Sequence, residues 1–305
     1  MPKAIVMAAA IALAVLAGQR SALGQQPADQ DLRWCMGVGG VGDDLVIKGC
    51  TIVINTRHFA GHDLAVAYSN RGAGYLDKGQ YEQARKDVDQ ALKLEPNLSP
   101  ALINSGKLLM EGGAEAMALQ EFDKAVAADP QNALAWYNRG IAWGKAGEMA
   151  KALADLDKAV GLSPDFVEAV YSRGVAHYAL GHIDRAMADY DRVIELSPRF
   201  VSAIYNRAVI HQQRSELDEA IADYDRAAAL APQDDAIFNN RGNAWRSKGD
   251  VARSIADYNR AIALNPKSAS AFYNRGKAKE KLGDAKGGEA DIAHARDLDP
   301  FVGRQ

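Results

Sequence analysis

Residues 133–166 read ALAWYNRGIAWGKAGEMAKALADLDKAVGLSPDF, and they contain the pattern that decides the fold. Apolar side chains recur at helical spacing before Gly147 and again after it. The glycine breaks the first helix, and Pro164 stops the second because proline cannot continue a helix interior. The stretch therefore predicts two amphipathic helices, residues 133–146 and 148–162, joined by a tight turn.

The same pattern returns at a fixed interval along the chain. Seven of the ten prolines lie 34 residues apart, at positions 96, 130, 164, 198, 232, 266 and 300. An Asn-Arg-Gly tripeptide that begins at Asn70 keeps this spacing, although its second copy, from Asn104, reads Asn-Ser-Gly. A fixed period of this size indicates a repeat array and overrides the division into two domains that 305 residues would otherwise suggest.

This pattern resembles the tetratricopeptide-repeat family over residues 65–302, with departures at Ala208 and Ser215 in the fifth unit. The resemblance implies an all-α, right-handed superhelical solenoid of seven 34-residue helix-turn-helix repeats, whose first helices line a concave face. Within each repeat we number positions from its first residue, which is residue 65, 99, 133, 167, 201, 235 or 269. Residues 303–305 form a short tail.

Composition and motifs exclude several classes of function. A net charge of −3 argues against a nucleic-acid partner, and two cysteines are too few for a four-thiolate zinc site. His58 and His62 have the spacing of metal ligands on a helix, but Gly61 lies between them and no third ligand is evident. No phosphate-binding loop or nucleophile–base signature occurs in the sequence. We therefore expect no catalysis, no cofactor and no metal.

The first 24 residues predict a secretory signal peptide. The apolar run from Ala4 to Ala17 would extend only about 21 Å as a helix, too short for a bilayer core of about 30 Å. Small residues precede Gln25, where we expect cleavage. The alternative is an amphipathic or buried N-terminal helix. Export would place the protein in the periplasm or outside the cell, without stable membrane insertion.

Residues 25–64 predict a capping segment that resembles a degenerate repeat. We expect one helix here, residues 45–56, with the first helix of the unit broken by the glycines between 37 and 42. In an oxidising compartment Cys35 and Cys50 would form a disulfide. The alternative is a pair of buried thiols.

Helical geometry directs positions 2, 5, 6, 9 and 13 of each first helix toward the concave side, which we call the groove face. Position 6 carries an asparagine in six of the seven repeats: Asn70, Asn104, Asn138, Asn206, Asn240 and Asn274. Asparagine is a poor helix former, and its amide can both donate to and accept from the backbone of an extended peptide. Either this ladder binds a peptide, or it braces neighbouring repeats.

Four tyrosines stand beside the ladder at position 5: Tyr137, Tyr171, Tyr205 and Tyr273. Tyrosine gives a large contact area with few rotatable bonds, so these side chains are candidate anchors for a partner. Packing between repeats is the alternative interpretation.

Position 7 is arginine in six repeats, and its direction points it toward the second helix. A buried guanidinium needs a partner, and every repeat supplies an acid sixteen residues later. We predict that these arginine–carboxylate pairs, or pairs with aspartates two residues further on, join the helices.

These observations favour an exported, non-enzymatic scaffold that binds a partner peptide segment in the groove. The alternative is a structural subunit of a cell-envelope assembly that uses its convex or edge surfaces. The partner would be a protein or peptide.

Overall fold

The computed structural model describes residues 29–303, so the predicted signal peptide and its cleavage site lie outside the described residues. The described part of the chain forms sixteen α-helices and no strand, which confirms the all-α repeat fold. The helices are α1 (Asp29–Cys35), α2 (Asp43–Asn55), α3 (Gly61–Asp77), α4 (Tyr81–Leu94), α5 (Ser99–Glu111), α6 (Glu115–Ala128), α7 (Ala133–Lys145), α8 (Met149–Leu162), α9 (Val167–Ala179), α10 (Ile183–Leu196), α11 (Val201–Gln213), α12 (Leu217–Leu230), α13 (Asp235–Lys248), α14 (Val251–Leu264), α15 (Ala269–Lys281) and α16 (Ala285–Leu298).

The chain divides into two compact units, the first ending at Ala176 and the second beginning at His177. In the first unit, α1 pairs with α2, α3 with α4, α5 with α6 and α7 with α8 as antiparallel hairpins. The first helices α3, α5 and α7 also contact one another in sequence. In the second unit, α11 pairs with α12, α13 with α14 and α15 with α16, and the first helices α11, α13 and α15 are again neighbours.

Each hairpin turn needs a residue with left-handed backbone geometry. Gly147, between α7 and α8, has φ 79°, a conformation that glycine adopts without a steric penalty. Ser215 occupies the equivalent position between α11 and α12 and adopts φ 62° despite its side chain. Ser215 is the one residue other than glycine at this position of the seven repeat turns, and the turn geometry is the same there.

Small residues at position 8 let the two helices of a hairpin approach closely. Gly106 of α5 lies directly against the ring of Phe122 in α6, where an added Cβ would overlap the ring. Gly242 of α13 faces Tyr258 of α14 in the same way. Phe122 is 1% exposed and Tyr258 is fully buried, so these contacts place the largest side chains in the core between helices.

The segment before the repeats differs from our prediction, because it contains two helices rather than one. The helix predicted at 45–56 is α2, and the short helix α1 precedes it. The glycines from Gly37 onward lie after α1 and form its turn, with φ 66° at Gly37, instead of breaking a helix. The first repeat helix α3 also begins at Gly61, four residues before the predicted boundary. Within residues 29–303, no helix has both the length and the apolar content that a membrane span requires.

Candidate functional site

The asparagine ladder makes hydrogen bonds inside the protein. Asn104 Nδ2 donates to the carbonyl oxygen of Ser69 at 3.0 Å, and Asn274 Nδ2 donates to Asn239 Oδ1 at 3.1 Å. Each acceptor is the position-5 residue of the preceding repeat. Asn70 reaches the carbonyl oxygen of Cys35, 35 residues earlier, in the same way at 3.1 Å. Bracing of neighbouring helices is therefore one role that these side chains have.

Two members of the ladder use other acceptors. Asn138 donates to the carbonyl of Leu134 in its own helix at 2.8 Å. Asn206 donates to the Tyr190 hydroxyl at 3.4 Å.

The position-5 tyrosines take part in the same bracing. Asn240 donates to the hydroxyl of Tyr205, and the Ser172 side chain forms a hydrogen bond with the hydroxyl of Tyr137. Burial raises the pKa of both phenols. Tyr171 is partly buried, and the backbone of Gly303 packs against the ring of Tyr273.

The arginines at position 7 of five repeats form bidentate ion pairs, which confirms the predicted pairing in those repeats. Arg207 donates from Nε and Nη2 to the two carboxylate oxygens of Asp223, both at 2.7 Å. The same geometry joins Arg71 to Asp87, Arg139 to Asp155, Arg241 to Asp257 and Arg275 to Asp291. The aspartates two residues further on also take part, but they pair with the arginine of the next hairpin: Arg207 Nη1 reaches Asp191, which lies sixteen residues earlier in the preceding hairpin, at 2.7 Å. Each such arginine therefore joins the two helices of its own hairpin to each other and also joins them to the preceding hairpin.

The second repeat lacks this pairing because Ser105 replaces the arginine. Glu121, the acid at the equivalent position of this repeat, contacts Lys124 at 2.6 Å on the surface. The sequence therefore also predicts where the pairing is interrupted.

Asp291 shows how the pairs depend on pH. Burial alone would raise the pKa of its carboxyl, but hydrogen bonds from Arg275 and Lys279 outweigh burial and lower the pKa below its usual 3.8. Because folding favours the ionised form, its contribution to stability is present above about pH 3.8 and is lost as the pH falls through the lowered pKa. We expect Asp291→Asn to be less stable than wild type at neutral pH, with the difference shrinking in strong acid. Urea titrations at several pH values measure this, and a constant difference would contradict it.

A cavity of about 140 Å³ lies on the groove face of the first unit, and we call it the N-terminal cavity. Positions 2, 5, 6, 9 and 13 of the first helices contribute most of its lining: Asn70, Ala73, Asp77, Pro100, Ile103, Asn104, Lys107 and Leu134. These are the positions that helical geometry directs toward the groove. The segment before the repeats supplies the opposite wall through Cys35, Met36, Gly37, Asp43 and Val46.

The cavity brings together only the first two members of the predicted ladder, Asn70 and Asn104. Sequence analysis did not predict the contribution of Met36 and Val46. One feature of the sequence could have indicated this contribution. The segment before the repeats resembles a degenerate repeat in the same 34-residue phase, and such a repeat would stack on α3.

A disulfide holds this wall in place. The sulfur atoms of Cys35 and Cys50 are 2.11 Å apart, and both residues are buried, at 2% and 0% exposure. The bond fixes the end of α1 to the middle of α2. Gly49 allows the close approach, because a Cβ there would lie 2.7 Å from the Cys35 backbone nitrogen.

We expect the Cys35→Ala, Cys50→Ala double variant to lose about 3 kcal/mol of unfolding free energy, the chain-entropy value for a loop of 15 residues. Urea denaturation followed by circular dichroism measures the loss. Wild-type protein treated with a reductant should match the variant. A loss below about 1 kcal/mol would show that α1 is held by packing alone.

His58 and His62, which have the spacing of metal ligands on a helix, do not share a helix in this structure. His62 Nδ1 lies 2.6 Å from Glu95 Oε2, and His58 precedes α3 in a loop. No cluster of three potential metal ligands occurs in the part of the chain that the structure describes.

Comparisons with known proteins identify the repeats. Three family models described as TPR or tetratricopeptide repeat match the chain, at residues 65–98, at 104–165 with 171–235, and at 242–283. Together they cover more than half of its length. No curated protein matches the chain.

Solved structures show the same fold. A tetratricopeptide repeat protein from Parabacteroides merdae is 23% identical, with a TM-score of 0.56 over 77% of this chain and 93% of its own. Pseudomonas aeruginosa pilF is 21% identical, with a TM-score of 0.64 over 73% and 99%. YrrB, described as a TPR protein with an unusual peptide-binding site, is 21% identical, with a TM-score of 0.54 over 61% and 95%. The family models and the shared fold show that this chain belongs to the tetratricopeptide-repeat family.

Proposed function

We propose that this chain is a non-enzymatic protein–protein interaction scaffold that holds an extended segment of a partner protein against its groove face. The N-terminal cavity carries the proposal, because it lies on that face and combines apolar walls with amide groups. Apolar pockets with a few convergent polar groups are the usual form of a binding site.

The two asparagines in the cavity retain a group that a peptide can use. Asn70 and Asn104 donate through Nδ2 to the preceding helix. Their Oδ1 atoms accept no hydrogen bond from the described residues, and each has lone pairs for a peptide N–H. Bracing and binding are therefore compatible in the same side chain.

The rest of the ladder and the tyrosines would be secondary contacts along the groove. Their side chains already brace the repeats, so we assign them a smaller share of the binding energy. These residues are Asn138, Asn206, Asn240, Asn274, Tyr137, Tyr171, Tyr205 and Tyr273. The resemblance to YrrB, a TPR protein with an unusual peptide-binding site, supports this use of the fold.

We further propose that the protein is exported to the periplasm or beyond the cell. The apolar run in residues 4–17 and the buried Cys35–Cys50 pair support this, since disulfides persist in oxidising compartments. Intact-mass measurement of the natural protein tests it. We expect a chain that begins at Gln25, and a chain that retains residues 1–24 would contradict cleavage.

Selection from a random peptide library displayed on phage tests the scaffold function. The bait is residues 25–305. It is compared with a groove variant, Ala73→Arg with Val209→Arg, which places one bulky side chain at position 9 of one repeat in each of the two compact units. The matched control is Ala116→Arg with Ala222→Arg, since both alanines are exposed on second helices. All baits must show equal helicity by circular dichroism.

We expect peptides to be enriched by the wild type and the control and lost from the groove variant. Equal enrichment by all three baits would contradict groove binding. That result would favour the alternative, a structural subunit of an envelope assembly, for which exposed apolar side chains such as Met117 on α6 are available.

A further inference from the structure

We propose that the N-terminal cavity is an anchor subsite for one ring-sized apolar side chain of the partner, with a lysine or arginine next to it in the partner's sequence. This inference rests on the proposed scaffold function and names the class of peptide that the groove selects. Its basis is the size, the acceptor groups and the charge of the cavity.

The size of the cavity selects a single side chain. An apolar cavity of about 150 Å³ accommodates benzene, and the N-terminal cavity measures about 140 Å³. Its apolar lining comes from Met36 and Val46 on one side and from Ile103 and Leu134 on the other. Methionine adapts its shape to an aromatic neighbour and makes favourable sulfur–aromatic contacts. A helix or a folded domain is too large to enter, but one phenylalanine or leucine side chain fits.

The polar groups at the cavity favour a ligand that donates hydrogen bonds. Asn70 and Asn104 lie 34 residues apart on neighbouring first helices, and each presents Oδ1 as an acceptor. The backbone N–H groups on either side of an inserted side chain are donors of this kind. An extended peptide would satisfy both amides without any requirement on its own sequence, which leaves the cavity to select the side chain.

The charge of the lining selects the neighbouring residue. Two carboxylates, Asp43 and Asp77, and one ammonium, Lys107, line the cavity, so the lining carries a net charge of −1. Lys107 Nζ lies 3.7 Å from Asp77 Oδ1, within the lining itself. This excess negative charge attracts a cationic side chain next to the anchor, and the attraction is stronger beside a low-dielectric wall than in open solvent.

The disulfide-bonded wall restricts this subsite to one end of the groove. Cys35, Met36 and Gly37 close the cavity beyond α3, and the Asn70 amide is tied to the Cys35 carbonyl. Among the described residues, Cys35 and Cys50 are the only cysteines, so no other hairpin has a wall of this kind. The anchor would therefore also set the register of the peptide along the groove.

The selected phage peptides provide the probes for the test. Each is synthesised with a fluorescent label in three forms: unchanged, with its apolar anchor replaced by alanine, and with the adjacent basic residue replaced by glutamate. Fluorescence anisotropy measures their affinity for wild type, for single variants Ala73→Arg and Met36→Arg, and for Val209→Arg in the second unit. The two cavity variants block opposite walls, so a folding defect in one leaves the other informative.

We expect the alanine form to bind at least tenfold more weakly, as loss of a buried apolar side chain implies. The glutamate form should bind several-fold more weakly, with the difference falling at high salt. Ala73→Arg and Met36→Arg should each lose binding, and Val209→Arg should retain it.

Binding that is lost only with Val209→Arg, or selected peptides without an apolar–basic pair, would overturn the anchor subsite while leaving the scaffold function intact. Failure of the library to yield any groove-dependent peptide would overturn both. The two failures are therefore distinguishable.

Discussion

We expect the Arg207→Ala variant to lose about 3–5 kcal/mol of unfolding free energy, the range for removing one partner of a buried ion pair. The substitution would leave Asp223, whose side chain is 9% exposed, without its bidentate partner. It would also remove the link to Asp191 in the preceding hairpin. The hydrogen bond with Asp223 raises the pKa of the Arg207 guanidinium, which shows that the folded state favours the charged pair.

Two controls separate the ion pair from a general effect of losing an arginine. Arg199→Ala removes an exposed arginine and should change stability by less than about 0.5 kcal/mol. The double variant Arg207→Leu with Asp223→Leu removes both charges and should recover much of the loss, because an apolar pair leaves no buried charge. Urea denaturation followed by circular dichroism measures all three. A loss below about 1 kcal/mol for Arg207→Ala would contradict the role that we assign to the pair.

We expect Phe122→Ala to cost about 3–5 kcal/mol, the usual range for removing a buried phenylalanine. Phe122 is 1% exposed and contacts Gly106 across the hairpin of α5 and α6. That hairpin is also the one in which Ser105 replaces the pairing arginine. Its stability should therefore depend more on this apolar contact than that of its neighbours does.

Met117→Ala is the matched control, because Met117 lies on the same helix and is 57% exposed. It should cost less than about 0.5 kcal/mol. Equal losses for the two variants would mean that the cost comes from helix propensity in α6 and not from packing against Gly106.

The repeat architecture could be predicted because its determinants are local and recur. Proline and glycine at fixed positions set the helix ends, and the arginine at position 7 meets an acid sixteen residues later in five repeats with the same geometry. Even the interruption at Ser105 follows from the sequence. Such features need no knowledge of distant parts of the chain.

The role of the asparagine ladder could not be decided from the sequence alone. An amide at position 6 can face a ligand or the preceding helix, and both interpretations fit the same spacing. In the structure the acceptor is the residue 35 positions earlier for four members of the ladder, as with Asn104 and Ser69, and a different residue for Asn138 and Asn206. That choice depends on the distance between stacked helices, which the period does not fix.

The segment before the repeats was the least predictable part of the fold. Its short helix α1 has seven residues, few for a periodic pattern, and its position depends on the disulfide and on close contact with Gly49. The wall of the N-terminal cavity arises from this non-local contact. Its residues therefore could not be assigned to the site from spacing.

Hydrogen–deuterium exchange, measured with and without a selected peptide, tests groove binding most directly. If the partner segment lies on the groove face, exchange should slow in α3 and α5 and stay unchanged in α4 and α6. Protection confined to the second helices, or no protection in residues 61–111, would contradict the proposed site.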